Sequence, residues 1–269
     1  TYDKHVRRTI GDYRLSELDN AVLDWWVREH IRKEYQRSTI NKHIFLVNRM
    51  LNLARHWRFM EDGGKDKPLL KRLPVLEFKQ RFLTDAELAE LLRACAADPH
   101  PFLYLFVKLL ALTGARKGEA RLARWRDIDT ARREWVVPVS KNGRSRRILL
   151  SPAAVQVLQA VREQADRLML PHNRNDYVFI NPKTRTHYNS FYAAFHRART
   201  LAELPDVRIH DLRHTFASLI INRGASIYEV QTLLGHHHVS MTERYAHLMP
   251  STLHGRLEVV SRAVDGESI

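Results

Sequence analysis

The chain of 269 residues is poor in cysteine, in acidic residues relative to basic ones, and in long apolar runs. One cysteine, Cys95, allows no internal disulfide, which fits a reducing cytosol. The longest apolar run, PFLYLFVKLLAL, is interrupted by Lys108 and is too short to span a bilayer, so it reads as a buried helix. Neither a signal peptide, an internal repeat nor a low-complexity tract is visible. Thr1 is not a methionine, and TYDKHVRR reads as the tail of an element whose start is missing; a processed form or a fragment is expected. What is abundant is positive charge: 44 Lys and Arg against 30 Asp and Glu, a formal +14. Such an excess attracts polyanions. Nucleic acid is the first partner to consider, and no apolar anchor supports a membrane as the rival. At 44% hydrophobic residues the chain can build packed cores, and its length favours two domains.

Residues 1–62 read as helical. Ser16 is expected to cap a helix carrying Leu23, Trp26, Val27 and Ile31 on one side, and Ser38 or Thr39 a second. In the second, Ile40, Ile44, Val47, Leu51 and Ala54 form a regular stripe. Residues 63–81, with glycines, prolines and many charges, read as an interdomain linker. A second domain over 82–250 starts at Thr84 and Glu87, a capping-box pattern. Helices follow at about 85–96, 101–112 and 152–168. EWVVPV and SRRILL read as strands flanking an Asn-Gly turn. The tail, residues 251–269, carries Leu253, Leu257, Val260 and Val264 as an amphipathic helix in need of a partner surface, in its own domain or on a neighbouring protomer.

Basic charge concentrates between Arg116 and Arg147, where eleven Lys and Arg face four Asp and Glu. A phosphate-facing strip is the natural use of that density. The segment from His210 to Leu248 raises a sharper question. At helical spacing, Leu212, Phe216 and Leu219 share one side, with His210, Arg213 and His214 roughly opposite, so one face is expected to pack and the other to present cationic donors. Ile227, Val230 and Leu234 mark another helix, closed by Gly235 as a left-handed C-cap, with His236 just beyond. Ser240 and Glu243 suit a further capping box, and Tyr245 falls near the first turn of that short helix, where it need not be buried.

The order Arg116, Glu119, Lys141, His210-x-x-Arg213, His236, Tyr245, with the motifs TGARKGEA, HDLRHTFAS, LLGH and YAH, resembles the tyrosine recombinase (phage integrase) family. The helical front segment, with STINKHIFLVNRMLNLA, looks like that family's core-binding domain. The resemblance implies a mainly α fold with a small antiparallel β-sheet: a helical N-terminal core-binding domain and an α+β catalytic domain. It implies that Arg116 and Arg213 clamp a scissile phosphate, that Tyr245 attacks it to leave a 3′-phosphotyrosine and a free 5′-hydroxyl, and that Lys141 acts as general acid. It further implies an acid/base role for His210, a phosphate contact for His236 and a supporting role for Glu119. No metal, ATP or other cofactor is expected. The implied partners are double-stranded DNA with a specific recombination site and further copies of the chain, a dimer on each site and a tetramer in the synapse, with accessory DNA-bending proteins and no membrane. Cytoplasmic, nucleoid-associated action follows.

The chemistry stands beside the resemblance. Cleaving a phosphodiester without a metal calls for fixed cationic donors at the non-bridging oxygens, and the planar fork of arginine suits them. A tyrosine nucleophile, with an ordinary pKa near about 10, has to be activated by cations or a base. For further DNA contacts the expected residues are Lys42, Arg49 and Arg55 on the second helix, and Arg144 and Arg146 in the basic hairpin. His214 reads as a supporting or packing residue. Three other readings compete: a topoisomerase-like enzyme that only nicks and reseals, a DNA-binding relative without catalysis, and a zinc protease suggested by two histidines around Asp211, against which Arg213 stands as a repelling cation.

Overall fold

The computed structural model describes residues 2–60, 68–75, 81–138, 145–236 and 238–248. Two compact units divide the chain, Thr1–Lys79 and Gln80–Ile269. The expected tail helix over 251–269 lies outside the described residues.

In the first unit a π-helical turn, Asp3–Arg7, runs into the short α1, Arg8–Ile10, and packs with α2, Asn20–Arg32, and α3, Arg37–His56. The predicted stripe of α3 is the one that buries: Ile40, Ile44, Val47 and Leu51 cluster with Leu23, Trp26 and Val27 of α2, and Ala54 is buried as well. The caps differ from expectation. Asp19, not Ser16, accepts from the Val22 amide at 2.8 Å, and α3 starts at Arg37 without a side-chain cap. Ile31 is 50% exposed and His30 takes the inward position instead, since steps of three and four both keep a residue on one face. Part of the segment read as linker is tied to this unit. Asn48 exchanges two hydrogen bonds with the Leu70 backbone (2.9 and 3.0 Å) and Asn41 two with Leu73 (2.9 and 2.8 Å), each amide imitating a strand partner.

In the second unit the Thr84–Glu87 capping box opens α4, Asp85–Ala97. The apolar run forms α5, Leu103–Thr113, buried against α7, Pro152–Arg167, and α9, Asp211–Asn222. Between them lie α6, Lys117–Leu122, and a three-stranded antiparallel sheet of β1, Ile128–Asp129, β2, Glu134–Val137, and β3, Arg146–Leu149. Trp135 pairs with Ile148 and Val137 with Arg146. Side chains alternate across a strand, so Arg146 shares the inward face with Ile148. After α8, Tyr192–Leu201, the chain closes with α9, α10, Ile227–Leu234, and the short α11, Ser240–Glu243. Ser226 and Glu229 form a capping box at α10, whereas the box expected at Ser240 and Glu243 is absent: Val239 precedes α11 and gives no side-chain cap.

Candidate active site

Two glycines set the backbone of the site. Gly114 ends α5 and Gly235 ends α10, both left-handed (φ 60° and 62°), a conformation that costs an L-residue about 1–2 kcal/mol. Each also lies against a neighbour that leaves no room for a methyl group. A Cβ on Gly114 would meet Phe216 Cδ1 at 2.5 Å, and one on Gly235 would meet Arg146 Cδ at 2.7 Å. The two helix ends turn their last carbonyls inward, and Arg213 bridges them. Its guanidinium donates to Gly114 O and to Leu234 O, both at 2.7 Å.

Arg213 therefore does not stand on a presenting face, as the helical wheel implies; it is 4% exposed. α9 is packed by α5 and by α10, so its polar side forms an interior seam. Burial, then the nearby Arg116 and Arg146, pull its pKa down to about 9, which still leaves it charged at neutral pH.

Arg116 precedes α6. Its amide and its guanidinium both donate to Glu119, each at 2.8 Å. Glu119 also receives the guanidinium of Arg146 at 2.6 and 3.2 Å, while Arg146 reaches Leu234 O at 2.8 Å. Hydrogen bonds from Arg146 and Arg116 hold the carboxyl of Glu119 below its ordinary range although burial opposes them. Two guanidinium groups thus bond one carboxylate, and a third, that of Arg213, shares the Leu234 carbonyl with Arg146, an excess of two positive charges in a partly desolvated pocket. Such a cluster is an anion site by construction. Arg146, expected as an outer DNA contact, is part of this network. The signal was present in the strand alternation of RRIL.

His236 follows Gly235 and pairs through Nδ1 with Thr242 Oγ1 at 2.8 Å. Burial, then Arg213 and Arg116, lower its pKa to about 3, so the ring is neutral. In the tautomer in which the threonine hydroxyl donates to Nδ1, the proton sits on Nε2, which is then a donor. Tyr245 follows α11 and is 1% exposed, against the expectation that it need not be buried. Its neighbours Ala217, Ile221, Val230 and Leu234 close over it. Its hydroxyl meets Nδ1 of His214 at 2.6 Å. Burial lowers the His214 pKa to about 4, leaving a neutral acceptor; burial also raises that of Tyr245, with Arg213 and Arg244 opposing. His210 lies edge-on to His214 at 5.1 Å. The histidine touching the phenol is thus the one read as supporting.

Asp211 is taken up by Arg208, which bonds it from backbone and guanidinium at 2.8 to 3.1 Å. Among the described residues no third ligand joins His210 and His214 in a metal-binding group, which weighs against the zinc-protease reading. Lys141 and Arg144 lie outside the described residues. Of the other DNA-contact candidates, Lys42 and Arg49 are exposed on α3, while Arg55 is tied to Pro68 O at 2.7 Å.

Two consequences can be measured. Gly235→Ala should lower stability by about 2 kcal/mol in denaturant unfolding, since strain and the displacement of Arg146 add; an unchanged midpoint would mean that the turn relaxes freely. His214 and His236 are neutral when folded, but when unfolded they take a proton near the ordinary 6.5. Their contribution is therefore complete above that value and drains away as pH falls toward their folded values. Melting temperature should drop as pH falls from about 6.5 toward about 3, and a His214→Gln/His236→Gln double variant should show a flatter limb.

The family model described as the phage integrase family matches residues 81–251. The chain is similar to the integrase of Escherichia phage 186, 26% identical over 260 residues, covering 93% of this chain and 70% of that protein. It is similar to the tyrosine recombinase XerC of Staphylococcus epidermidis, 31% identical over 270 residues, covering 92% of this chain and 90% of that one. Among solved structures, the Tn1549 transposon integrase in complex with a circular intermediate DNA superposes with a TM-score of 0.69 at 18% identity, over 94% of this chain and 86% of that one, a likeness of fold. Among the described residues, no helix is long and apolar enough to cross a membrane.

Proposed function

The chain belongs to the phage integrase family, and on that footing we propose that it breaks and rejoins double-stranded DNA at a specific site, through a 3′-phosphotyrosine bond made by Tyr245. It is a tyrosine-type site-specific recombinase. One observation carries the assignment of roles: three guanidinium groups, the neutral His236 and the Tyr245–His214 pair meet around the ends of α5 and α10.

Arg116 and Arg213 hold the non-bridging oxygens of the scissile phosphate, where charge gathers in the transition state. Glu119 fixes Arg116 from both backbone and side chain, and Arg146 shares that carboxylate. His236 donates from Nε2 to the same phosphate. The Tyr245 oxygen attacks phosphorus, its proton passes to Nδ1 of His214, and the bond to the 5′ oxygen breaks. His210 completes the acid/base pair and Lys141 protonates the leaving oxygen. A phosphodiester is exchanged for a phosphotyrosyl ester of similar energy, so no ATP is consumed, and a 5′-hydroxyl from another strand reverses the step. A phenol 1% exposed cannot meet DNA as it lies. The structure is thus read as the resting state, from which the segment after α11 must shift when phosphate enters.

Lys42 and Arg49 are proposed DNA contacts, and so are Lys117, Arg121, Arg199 and Arg208, which line a groove beside His210. Action as a dimer on each site and a tetramer in the synapse, aided by DNA-bending proteins in the cytoplasm, is part of the same proposal, as is docking of residues 251–269 on a neighbouring protomer. The experiment is a nicked substrate that loses its 5′-hydroxyl fragment on cleavage. A covalent protein–DNA adduct on a denaturing gel, with the nucleotide mapped to the Tyr245 peptide, is expected. No adduct with any substrate carrying the cognate site would overturn the reading.

A further inference from the structure

The first unit holds a second cluster of histidines, far from the chemistry in sequence. His5 comes from the π-helical turn, His30 from α2 and His43 from α3. One ring nitrogen from each lies within 4.8 Å of the others. The rings of His5 and His43 stack at 4.2 Å, those of His30 and His43 meet at 5.2 Å, and Tyr35 borders the group. Three histidines among apolar side chains are a costly way to fill a core, because every buried imidazole nitrogen needs a partner.

Two observations show what these rings lack. Nδ1 of His43 is buried with no hydrogen-bond partner. His30 lies with Nδ1 against the Trp26 carbonyl at 2.8 Å, so Nδ1 carries the proton and Nε2 keeps a free lone pair. Metal-binding histidines are held in this manner, one nitrogen donating to a carbonyl and the other turned to the ion. The π-helical turn that carries His5 is a rare conformation, frequently found at functional sites.

We propose that His5, His30 and His43 bind one zinc-type divalent cation, which pins the N-terminal turn to α2 and α3. Neutral imidazoles suit zinc and its neighbours rather than calcium or magnesium. Around an ion with bonds of about 2.0–2.1 Å, tetrahedral nitrogens stand roughly 3.3 Å apart, so the rings close modestly from their present spacing. The fourth position is left to water. The ion holds the fold and takes no part in DNA chemistry.

The test uses the 269-residue chain, tag-free, stripped with chelator and desalted. Zinc is titrated by calorimetry and cobalt by its visible absorption. We expect one equivalent bound, a tetrahedral cobalt spectrum, and a rise of several degrees in the melting temperature. His5→Ala, at the most accessible of the three positions, should bind zinc at least tenfold more weakly while keeping its circular dichroism. His30→Gln/His43→Gln should lose the zinc-dependent melting shift. The same affinity in wild type and both variants would place the ion elsewhere, for instance at His236 and His238, and overturn the proposal; so would a wild type that binds none. DNA cleavage well below the melting temperature should be equal with and without chelator. A failure of this site therefore leaves the phosphotyrosine reading untouched, and an absent adduct leaves this site untouched.

Discussion

Tyr245→Phe should abolish the covalent adduct and lower strand cleavage by about 10⁴-fold or more, the scale on which nucleophile losses fall. The argument is local. The ring stays packed among Ala217, Ile221, Val230 and Leu234, and only the hydroxyl goes. What the fold loses is the bond to His214 Nδ1, worth about 1 kcal/mol, with a further cost if that nitrogen stays unpartnered. Stability should therefore shift slightly and DNA affinity hardly at all, because every cation of the site remains. Single-turnover cleavage of a nicked substrate, read beside the melting curve and a binding isotherm, separates the three quantities. Adduct at wild-type yield would move the nucleophile elsewhere. Tyr228 and Tyr192, 70% and 63% exposed, would then be the residues to examine, Tyr192 first because it lines the groove with Arg121, Arg199 and Arg208.

The resting position of that phenol marks the limit of what the sequence makes legible. Periodicity foretells the buried stripe of α3 and the apolar α5, and residue type foretells the left-handed turn at Gly235. These features depend on neighbours within a turn or two. Arg213 reads as a presented donor because a helical wheel assumes one packed face and one wet face. α9 has two packed sides, and the second is packed by α10, a helix legible by itself whose contact with α9 no local pattern announces. Arg146 shows the opposite case: its inward direction is written in the alternation of β3, but a dense run of basic residues draws the eye to solvent. His214 gives no signal of its own, since its bond to Tyr245 joins residues thirty-one apart in the chain. The three histidines of the first unit meet for the same reason, from separate segments.

Arg213 is where stability and catalysis depend on the same atoms, and replacing it should have the second large effect. Arg213→Lys keeps a charge but exchanges a planar fork for a point. The fork donates at once to Gly114 O and Leu234 O, 2.7 Å each, and so ties the end of α5 to the end of α10. A lysine has a shorter reach and cannot span both carbonyls while facing a phosphate. Cleavage should fall about 10²–10³-fold, the scale for losing one fixed transition-state donor. Stability should fall by about 1–3 kcal/mol for a buried carbonyl left without its donor. Arg213→Gln removes the charge as well. It should cleave still more slowly, yet its stability need not be worse, because it removes a charge whose burial, and then repulsion from Arg116 and Arg146, depress the Arg213 pKa. The comparison discriminates between two roles. If the residue served the fold alone, both variants would lose cleavage in proportion to lost stability, and cooling would restore it. If it also holds the phosphate, the glutamine variant at equal stability remains the slower enzyme, and its DNA binding loses part of its salt dependence, since one phosphate-facing cation has gone.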